Sequence, residues 1–232
     1  MRVALIAVGD EILSGDTVNT NASWLAERLT KAGATVSRIT VVPDDVSEIA
    51  RIVNEYRAAY EAVIVTGGLG PTHDDMTMEA VAAAFGTELA ADEEVEHWLT
   101  EGGGYSGDDL APGTTHIPER AEMLANPEGV APGCTIENVY VLPGVPSEMR
   151  AMFELIADEF GGKQRHRAVV KAAEPESQLL ERVRDVQEQF DVKVGSYPGE
   201  YVRLRIQSTD ETAVEAAADW LRERVEAPDE EA

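Results

Sequence analysis

Two nearly continuous runs of apolar residues mark the start of the fold. They cover residues 2–8 and 62–66, and each is followed by a glycine-containing turn and then by a helical pattern. Strands buried on both faces lack the alternation of apolar and polar residues that half-exposed strands show. The pattern therefore predicts buried parallel strands, each leading into a helix.

Between these two strands, apolar side chains recur at helical spacing in two segments. They are Trp24, Leu25 and Leu29, followed by Ile49, Ile52, Val53 and Tyr56. A further strand is expected over residues 36–42. Strands and helices that alternate with short links predict a three-layer α/β/α domain with a mostly parallel sheet, in which ligands bind outside the carboxyl ends of the strands.

The remainder of this first domain is less regular. A helix is expected near residues 75–85, an acidic helix over 92–100 and short strands within 121–142. The glycine-rich stretch 101–109 predicts a mobile loop. After a last helix that begins near Pro146, the domain is expected to end at residue 162.

A small second domain is expected over residues 163–226, with the order βαββα. Its predicted elements are strand 167–172, helix 176–190, strand 192–197, strand 201–208 and helix 211–225. Residues 227–232 form an acidic tail with no apolar side chain large enough to anchor it, so we expect it to be frayed.

The charge of the chain argues against polyanionic partners. The formal net charge is −25, from 44 acidic and 19 basic residues. This balance repels nucleic acids and anionic membranes, so we expect neither as a partner. The acidic residues are spread over many segments, which favours a solvated surface suited to high salt, as in a halophilic protein, over a single interface for a basic partner.

The cellular compartment is inferred from the absence of a long apolar segment and of a cysteine pair in the sequence. No stretch approaches the roughly 18 consecutive apolar residues of a membrane span, and the first residues run directly into a core strand. Cys134 is the single cysteine, which rules out an internal disulfide. We therefore expect a cytoplasmic protein without a structural zinc site.

The first candidate site follows strand 2–8, where Gly9 precedes Asp10 and Glu11. Carboxylates at the rim of a sheet suit a hard cation such as magnesium. Ordinary helix capping explains acids at this position equally well. A few residues later, Asn19, Thr20 and Asn21 open a helix; capping accounts for one of them, and the others could hold a ribose or a phosphate.

The second candidate site is the segment from Thr66 to Thr77, which includes three glycines and joins a buried strand to a helix. Glycines at such a position let backbone N–H groups approach a phosphate closely. Asp74 and Asp75 add negative charge beside that phosphate, and a bridging metal would resolve the conflict. His73 could contact the ligand. The alternative is a plain glycine turn capped by an aspartate.

A third loop runs through Pro143 and Gly144 to Pro146 and Glu148, again between a strand and a helix. Taken alone, this loop would only mark the end of a strand and the start of a helix. Because the carboxyl ends of parallel strands share one side of a sheet, the three loops are expected to converge.

In the order of their motifs these loops resemble the molybdopterin-binding domain shared by MoaB, Mog, MoeA and gephyrin. They most closely resemble its version in the N-terminal part of the CinA, or competence/damage-inducible, protein family. The motifs are Gly9-Asp10-Glu11, Asn19-Thr20-Asn21, Gly67-Gly68-Leu69-Gly70-Pro71-Thr72 with Asp74-Asp75, Ala131-Pro132-Gly133, and Pro143-Gly144 with Glu148. Lys171, Glu176-Ser177 and Gly195-Ser196-Tyr197-Pro198 extend the resemblance into the second domain.

The resemblance implies a nucleotide- or pterin-binding domain and, as in CinA-like proteins, metal-dependent hydrolysis of ADP-ribose to AMP and ribose 5-phosphate. Asp74, Asp75 and Glu148 are the candidate catalytic residues, and Asp10, Glu11, Asp74 and Asp75 the candidate ligands of a divalent metal, magnesium by expectation. The candidate ligand-binding residues are Gly9, Asn19, Asn21, Thr66, Gly67, Gly68, Gly70, Thr72, Pro143 and Gly144.

Two alternatives stay open beside this hydrolase. One is a module that binds molybdopterin or a nucleotide without turnover, and the other is a pterin adenylyltransferase of molybdenum cofactor biosynthesis. Leu69 and Pro71 weigh against the adenylyltransferase, because those relatives have Gly-Gly-Thr-Gly at this loop. A dimer or trimer is expected from the relatives. The second domain resembles KH-type RNA modules only faintly, since it lacks a Gly-x-x-Gly loop and holds more acids than bases.

Overall fold

The computed structural model describes residues 1–70, 75–102, 113–162 and 166–228. The chain divides into two compact units, Met1–Gly162 and Lys163–Ala232. Most of the glycine-rich stretch 101–109 lies outside the described residues, as does the segment from Pro71 to Asp74.

The first unit alternates strands and helices over its first half. Its strands are β1 (Arg2–Val8), β2 (Thr35–Val42), β3 (Ala62–Gly67), β4 (Leu89–Ala91), β5 (His116–Pro118), β6 (Glu122–Leu124), β7 (Gly133–Ile136) and β8 (Val139–Pro143). Its helices are α1 (Asp10–Ser14), α2 (Thr20–Ala32), α3 (Val46–Ala59), α4 (Thr77–Ala84), α5 (Glu93–His97) and α6 (Pro146–Ile156), with a π-helical turn Trp98–Gly102 after α5 and a 3₁₀ turn Ala157–Phe160 after α6.

Six strands form the central sheet, in the order β2-β1-β3-β8-β7-β6. The first four are parallel to one another, whereas β7 pairs antiparallel with both β8 and β6. Strands β4 and β5 form a separate antiparallel pair. The carboxyl ends of β1, β2, β3 and β8 therefore lie along one edge of the sheet.

Both faces of this sheet are buried, which explains the unbroken apolar runs. On β1, Val3 and Leu5 pack into a cluster with α2 and α6, whereas Ala4, Ile6 and Val8 pack on the opposite side with α3 and α4. Successive side chains of a strand point to opposite faces, so each strand contributes to both cores. The three-layer α/β/α architecture with a mostly parallel sheet is confirmed.

The second unit has the order βαββα, as expected. Its elements are β9 (His166–Ala172), α7 (Glu176–Phe190), β10 (Lys193–Tyr197), β11 (Val202–Ser208) and α8 (Glu211–Arg222). The three strands form an antiparallel sheet in the order β10-β11-β9. One face of the sheet packs against α7 and α8 around Leu204, Ile206 and Leu179.

Three boundaries differ from the expectation by two residues or more. Helix α4 begins at Thr77 rather than near residue 75, and α8 ends at Arg222 rather than at 225. The helix expected over 92–100 changes into a π-helical turn after His97. There the Thr100 hydroxyl donates to the carbonyls of Glu96 and His97, and such a bond competes with the regular helical pattern. No helix within the described part of the chain is long and apolar enough to cross a membrane.

Candidate functional site

Hydrogen bonds join three of the sequence-predicted loops at the carboxyl edge of the sheet. The Gly144 N–H donates to the Gly67 carbonyl at 2.7 Å. The Asn21 amide Nδ2 donates to the Gly144 carbonyl at 2.6 Å. The loops after β3 and β8 and the start of α2 are thus in direct contact, as the parallel topology requires.

The two asparagines at the start of α2 have different roles. Asn19 caps the helix, because its Oδ1 accepts from the Ala22 N–H at 3.0 Å. Asn21 instead reaches across to the loop after β8, and its Oδ1 is buried without a hydrogen-bond partner among the described residues. A buried polar atom without a partner is costly, so this oxygen is available to a donor from a ligand.

Close packing fixes the glycines of the loop after β3. A Cβ at Gly67 would lie 2.9 Å from the Val8 Cβ and would also overlap the Thr77 hydroxyl. The Asp75 carboxylate packs against the next two glycines: a Cβ at Gly70 would lie 2.7 Å from Asp75 Oδ2, and one at Gly68 would overlap Oδ1. A negatively charged group thus already sits against the glycine loop.

An acidic rim lies beside this loop. The Asp10 N–H donates to Asp44 Oδ2 at 2.9 Å, which brings the loops after β1 and β2 together. Burial raises the pKa of Asp44; the Asp10 N–H opposes that rise, and the charges of Asp10, Glu11 and Asp75 add to it. The hydrogen bond from Asp10 places Asp44 beside the first turn of α1, which carries Asp10 and Glu11.

The helix-capping alternative holds for Asp10 and Glu11 only through their charge in the first turn of α1. Helix α1 has Gly9 at its N-cap position, and no side chain of the described residues makes a capping hydrogen bond there. The Glu11 carboxylate folds back over Gly9, where an added Cβ would lie 2.6 Å from both of its oxygens. The acids therefore line the rim, although they also sit in the first helical turn, where negative charge is favourable.

The described residues alone do not form a complete metal site. They contain no group of three or more His, Cys, Asp or Glu side chains placed to hold a metal ion. Asp74, the fourth candidate ligand, lies outside the described residues together with Thr72 and His73.

Glu148 occupies the first turn of α6 and is held by a neighbour that the sequence did not indicate. Asn126 Nδ2 donates to Glu148 Oε2 at 2.7 Å and to the Ala131 carbonyl at 2.9 Å. The Asn126 side chain is only 1% exposed. Its amide therefore fixes both the carboxylate and the loop that leads into β7.

The remaining predicted residues belong to the strand ends themselves. Thr66 lies in β3 and is 5% exposed, and Pro143 is the buried last residue of β8. They support the loops that follow them.

A scan against protein families matches residues 4–161 to the model described as "Probable molybdopterin binding domain". The chain belongs to this molybdopterin-binding domain family. Residues 164–229 match a second model, described as "FAD synthase, middle domain".

Individual relatives agree with this membership. A protein of Archaeoglobus fulgidus is 39% identical over 96% of this chain and 97% of its own length. A CinA-like protein of Citrifermentans bemidjiense is 37% identical over 98% of this chain but 59% of its own length. The crystal structure of the protein CinA from Thermoplasma acidophilum is similar with a TM-score of 0.63 and 38% identity, over 68% of this chain and 97% of that one.

Two polar residues of the molybdopterin-binding domain escaped the sequence analysis. Asp44 follows β2 next to Asp45, whose side chain caps α3 by accepting from the Glu48 N–H at 2.9 Å. Nothing in the sequence distinguishes Asp44 from its capping neighbour. Asn126 lies between two short strands, and no local signal points to its bond with a residue 22 positions away.

Proposed function

We propose that this CinA-like molybdopterin-binding domain protein is a metal-dependent ADP-ribose pyrophosphatase, which releases AMP and ribose 5-phosphate. The observation that carries the proposal is the Asp75 carboxylate packed on the glycine loop, beside the acidic rim of Asp10, Glu11 and Asp44. A loop that accepts one anion next to clustered carboxylates suits a pyrophosphate that is neutralised by a cation.

The glycine loop would bind the pyrophosphate. It follows a buried strand and precedes α4, whose N-terminus favours negative charge. Gly68 and Gly70 have no side chain that would fill the space where Asp75 now packs. Asn21 Oδ1, which has no partner among the described residues, is suited to accept a hydrogen bond from a ribose hydroxyl.

The donor set fits magnesium. This ion is usually bound by one or two carboxylates together with substrate phosphates rather than by a cage made only of protein. The candidate ligands are Asp10 and Glu11 of the rim, Asp75 on the glycine loop, and Asp74. When bound, the ion would neutralise charge on the phosphates.

Hydrolysis requires one water and one base. The water oxygen forms a bond to one phosphorus, and the bond from that phosphorus to the bridging oxygen breaks, so that each product carries one phosphate. The proton of the water passes to a carboxylate, for which Glu148 and Asp75 are the candidates. Asn126 would keep the Glu148 carboxylate in a single orientation.

The test is AMP release from ADP-ribose with and without magnesium, at high salt. An Asp74→Ala, Asp75→Ala double variant should lose turnover. A matched control is Glu93→Ala with Glu94→Ala, which removes two exposed acids from α5 and should leave turnover unchanged. Metal-independent AMP release, or full activity in the Asp74/Asp75 variant, would refute the proposal.

Two other outcomes would identify the alternatives. Tight binding of ADP-ribose or molybdopterin without turnover would indicate a binding module. The adenylyltransferase is the second candidate activity, favoured by the match of residues 164–229 to a domain named after FAD synthase. Its signature would be pyrophosphate release from ATP that depends on added molybdopterin.

A further inference from the structure

The sheet of the second unit has one apolar face and one strongly basic face. On β11, Val202, Leu204 and Ile206 are buried against the helices, and Arg203, Arg205 and Gln207 alternate with them. Strand pairing places β9 and β10 residues beside these three on the same face. We call this surface the basic face; its nine positions are Arg167, Val169, Lys171, Lys193, Gly195, Tyr197, Arg203, Arg205 and Gln207.

Five of the nine positions are cationic and none is acidic. Lys171 lies directly opposite Arg203 in the ladder between β9 and β11. Like charges at directly opposite positions destabilise a sheet. Repulsion between Lys171 and Arg203 therefore lowers the stability of this sheet, and a bound anionic ligand would remove the repulsion.

The cations of this face have no acidic partner within the described part of the chain. Elsewhere the large acid excess provides ion pairs for at least eight basic side chains: Arg2, Arg28, Lys31, Arg51, Arg57, Arg182, Arg222 and Arg224. If the acidic residues were spread evenly over the surface, at least one of them would be expected among these five cations.

The basic residues are also segregated along the chain. Residues 163–232 hold 11 of the 19 basic residues and 16 of the 44 acidic ones, a net charge of −5, whereas residues 1–162 carry −20. The expectation that nucleic acids are excluded used the net charge of the whole chain. It did not register a local surface of opposite sign.

An aromatic ring lies among these cations. Tyr197 is 38% exposed, and the Arg205 guanidinium lies 4.7 Å from its ring centroid. The Arg205 Nε is buried without a hydrogen-bond partner among the described residues. Val169, which pairs with Arg205 in the ladder between β9 and β11, is 51% exposed. Ring, aliphatic side chain and cations thus share one open surface.

We infer that the basic face binds single-stranded nucleic acid, with its cations on the phosphates and Tyr197 against a base. Three strands spaced about 4.8 Å apart, with side chains about 6.8 Å apart along each strand, spread the charges over a flat area rather than a pocket. A flexible chain with repeating phosphates matches such an area, and aromatic residues among cations are typical of single-strand binding. An acidic protein would match the charges but would make no use of the exposed part of the Tyr197 ring, which otherwise serves only as a partner of Arg205.

The test uses the full chain and a fluorescein-labelled oligomer of twelve uridines, followed by fluorescence anisotropy. Titrations start at the lowest KCl concentration at which the far-UV circular dichroism is unchanged. The double variant Lys171→Gln, Arg203→Gln should bind at least tenfold more weakly, and its log–log salt slope should fall by about 1.4, or 0.7 for each lost phosphate contact. The variant should fold, since it removes a like-charge pair.

The matched control is Arg51→Gln with Arg222→Gln, which changes the net charge equally at exposed ion pairs. It should keep the affinity within about twofold. Tyr197→Leu should weaken binding about fivefold or more without changing the salt slope, because stacking is not ionic.

Three results would overturn the inference. One is no binding under any condition in which the chain is folded. Another is an equal loss in the control variant. The third is competition by polyglutamate as effective per charge as by the oligomer, with Tyr197→Leu silent, which would assign the face to an acidic protein. None of these results bears on hydrolysis of ADP-ribose.

Discussion

Replacing Asn126 with alanine tests whether Glu148 is held in a working position. The substitution removes the hydrogen bonds that Asn126 donates to the Ala131 carbonyl and to the Glu148 carboxylate, and a longer one that its Oδ1 accepts from the Glu128 N–H at 3.3 Å. A neutral hydrogen bond contributes about 1 kcal/mol to stability and one to a charged group about 1.5–3 kcal/mol. We therefore expect Asn126→Ala to lose about 3 kcal/mol, equivalent to a fall of about 6–12 °C in melting temperature.

Asn138→Ala is the matched control. Asn138 also donates two hydrogen bonds, to the carbonyls of Arg57 and Tyr60 at 3.0 and 2.9 Å, but it lies in the turn between β7 and β8, away from the carboxyl edge. Its loss should cost about 2 kcal/mol, because both partners are neutral.

The two variants are compared by urea denaturation and by AMP release at a temperature where both are folded. We expect both to lose stability, but only Asn126→Ala to lose most of its turnover with little change in KM. Equal turnover in the two variants would refute a positioning role for Asn126. An unchanged stability of Asn126→Ala would refute the hydrogen-bond geometry itself.

Three further predictions concern other parts of the chain. Gly68→Ala should displace the Asp75 carboxylate and weaken ADP-ribose binding at least tenfold, measured by calorimetry; unaltered affinity would contradict the loop's role. Hydrogen bonds from Arg182 lower the pKa of Glu174. Ionised Glu174 therefore stabilises the folded chain above the ordinary pKa of a glutamate, and this stabilisation is lost as the pH falls through the lowered pKa. Glu174→Gln should thus be less stable than the parent at pH 7, and urea titrations should show the difference vanishing in strong acid; a difference independent of pH would oppose this. Burial raises the pKa of the Cys134 thiol to about 12, so at pH 8 it should react with a disulfide reagent far more slowly in the folded chain than in urea, and equal rates would contradict its burial.

Much of the fold could be predicted because the buried strands are recognisable as apolar runs in the sequence. Strand β1 is buried on both faces and is therefore an apolar run in the sequence, and its glycine turn marks the edge of the sheet where the candidate site lies. Parallel topology then predicts that the loops at Gly67 and Gly144 approach each other, and their backbone groups are hydrogen-bonded. These inferences need only local pattern and a general rule of α/β sheets.

The features that escaped prediction depend on contacts between distant segments. Asp44 and Asp45 are neighbours in sequence, yet only the folded chain shows that one caps a helix and the other bonds to Asp10. The basic face likewise requires the pairing of three strands, since the alternation within β11 alone shows only two of its five cations. Counting charges along the chain cannot reveal such an arrangement.

The central claim is that the glycine loop and its acidic rim hydrolyse a pyrophosphate with the help of a metal. It is tested most directly by the rate of AMP formation from ADP-ribose as magnesium is titrated, in the parent chain and in Asp75→Asn. We predict turnover that saturates with magnesium in the parent and falls at least a hundredfold in the variant. AMP formation that is insensitive to magnesium, or equal in the two proteins, would contradict the account.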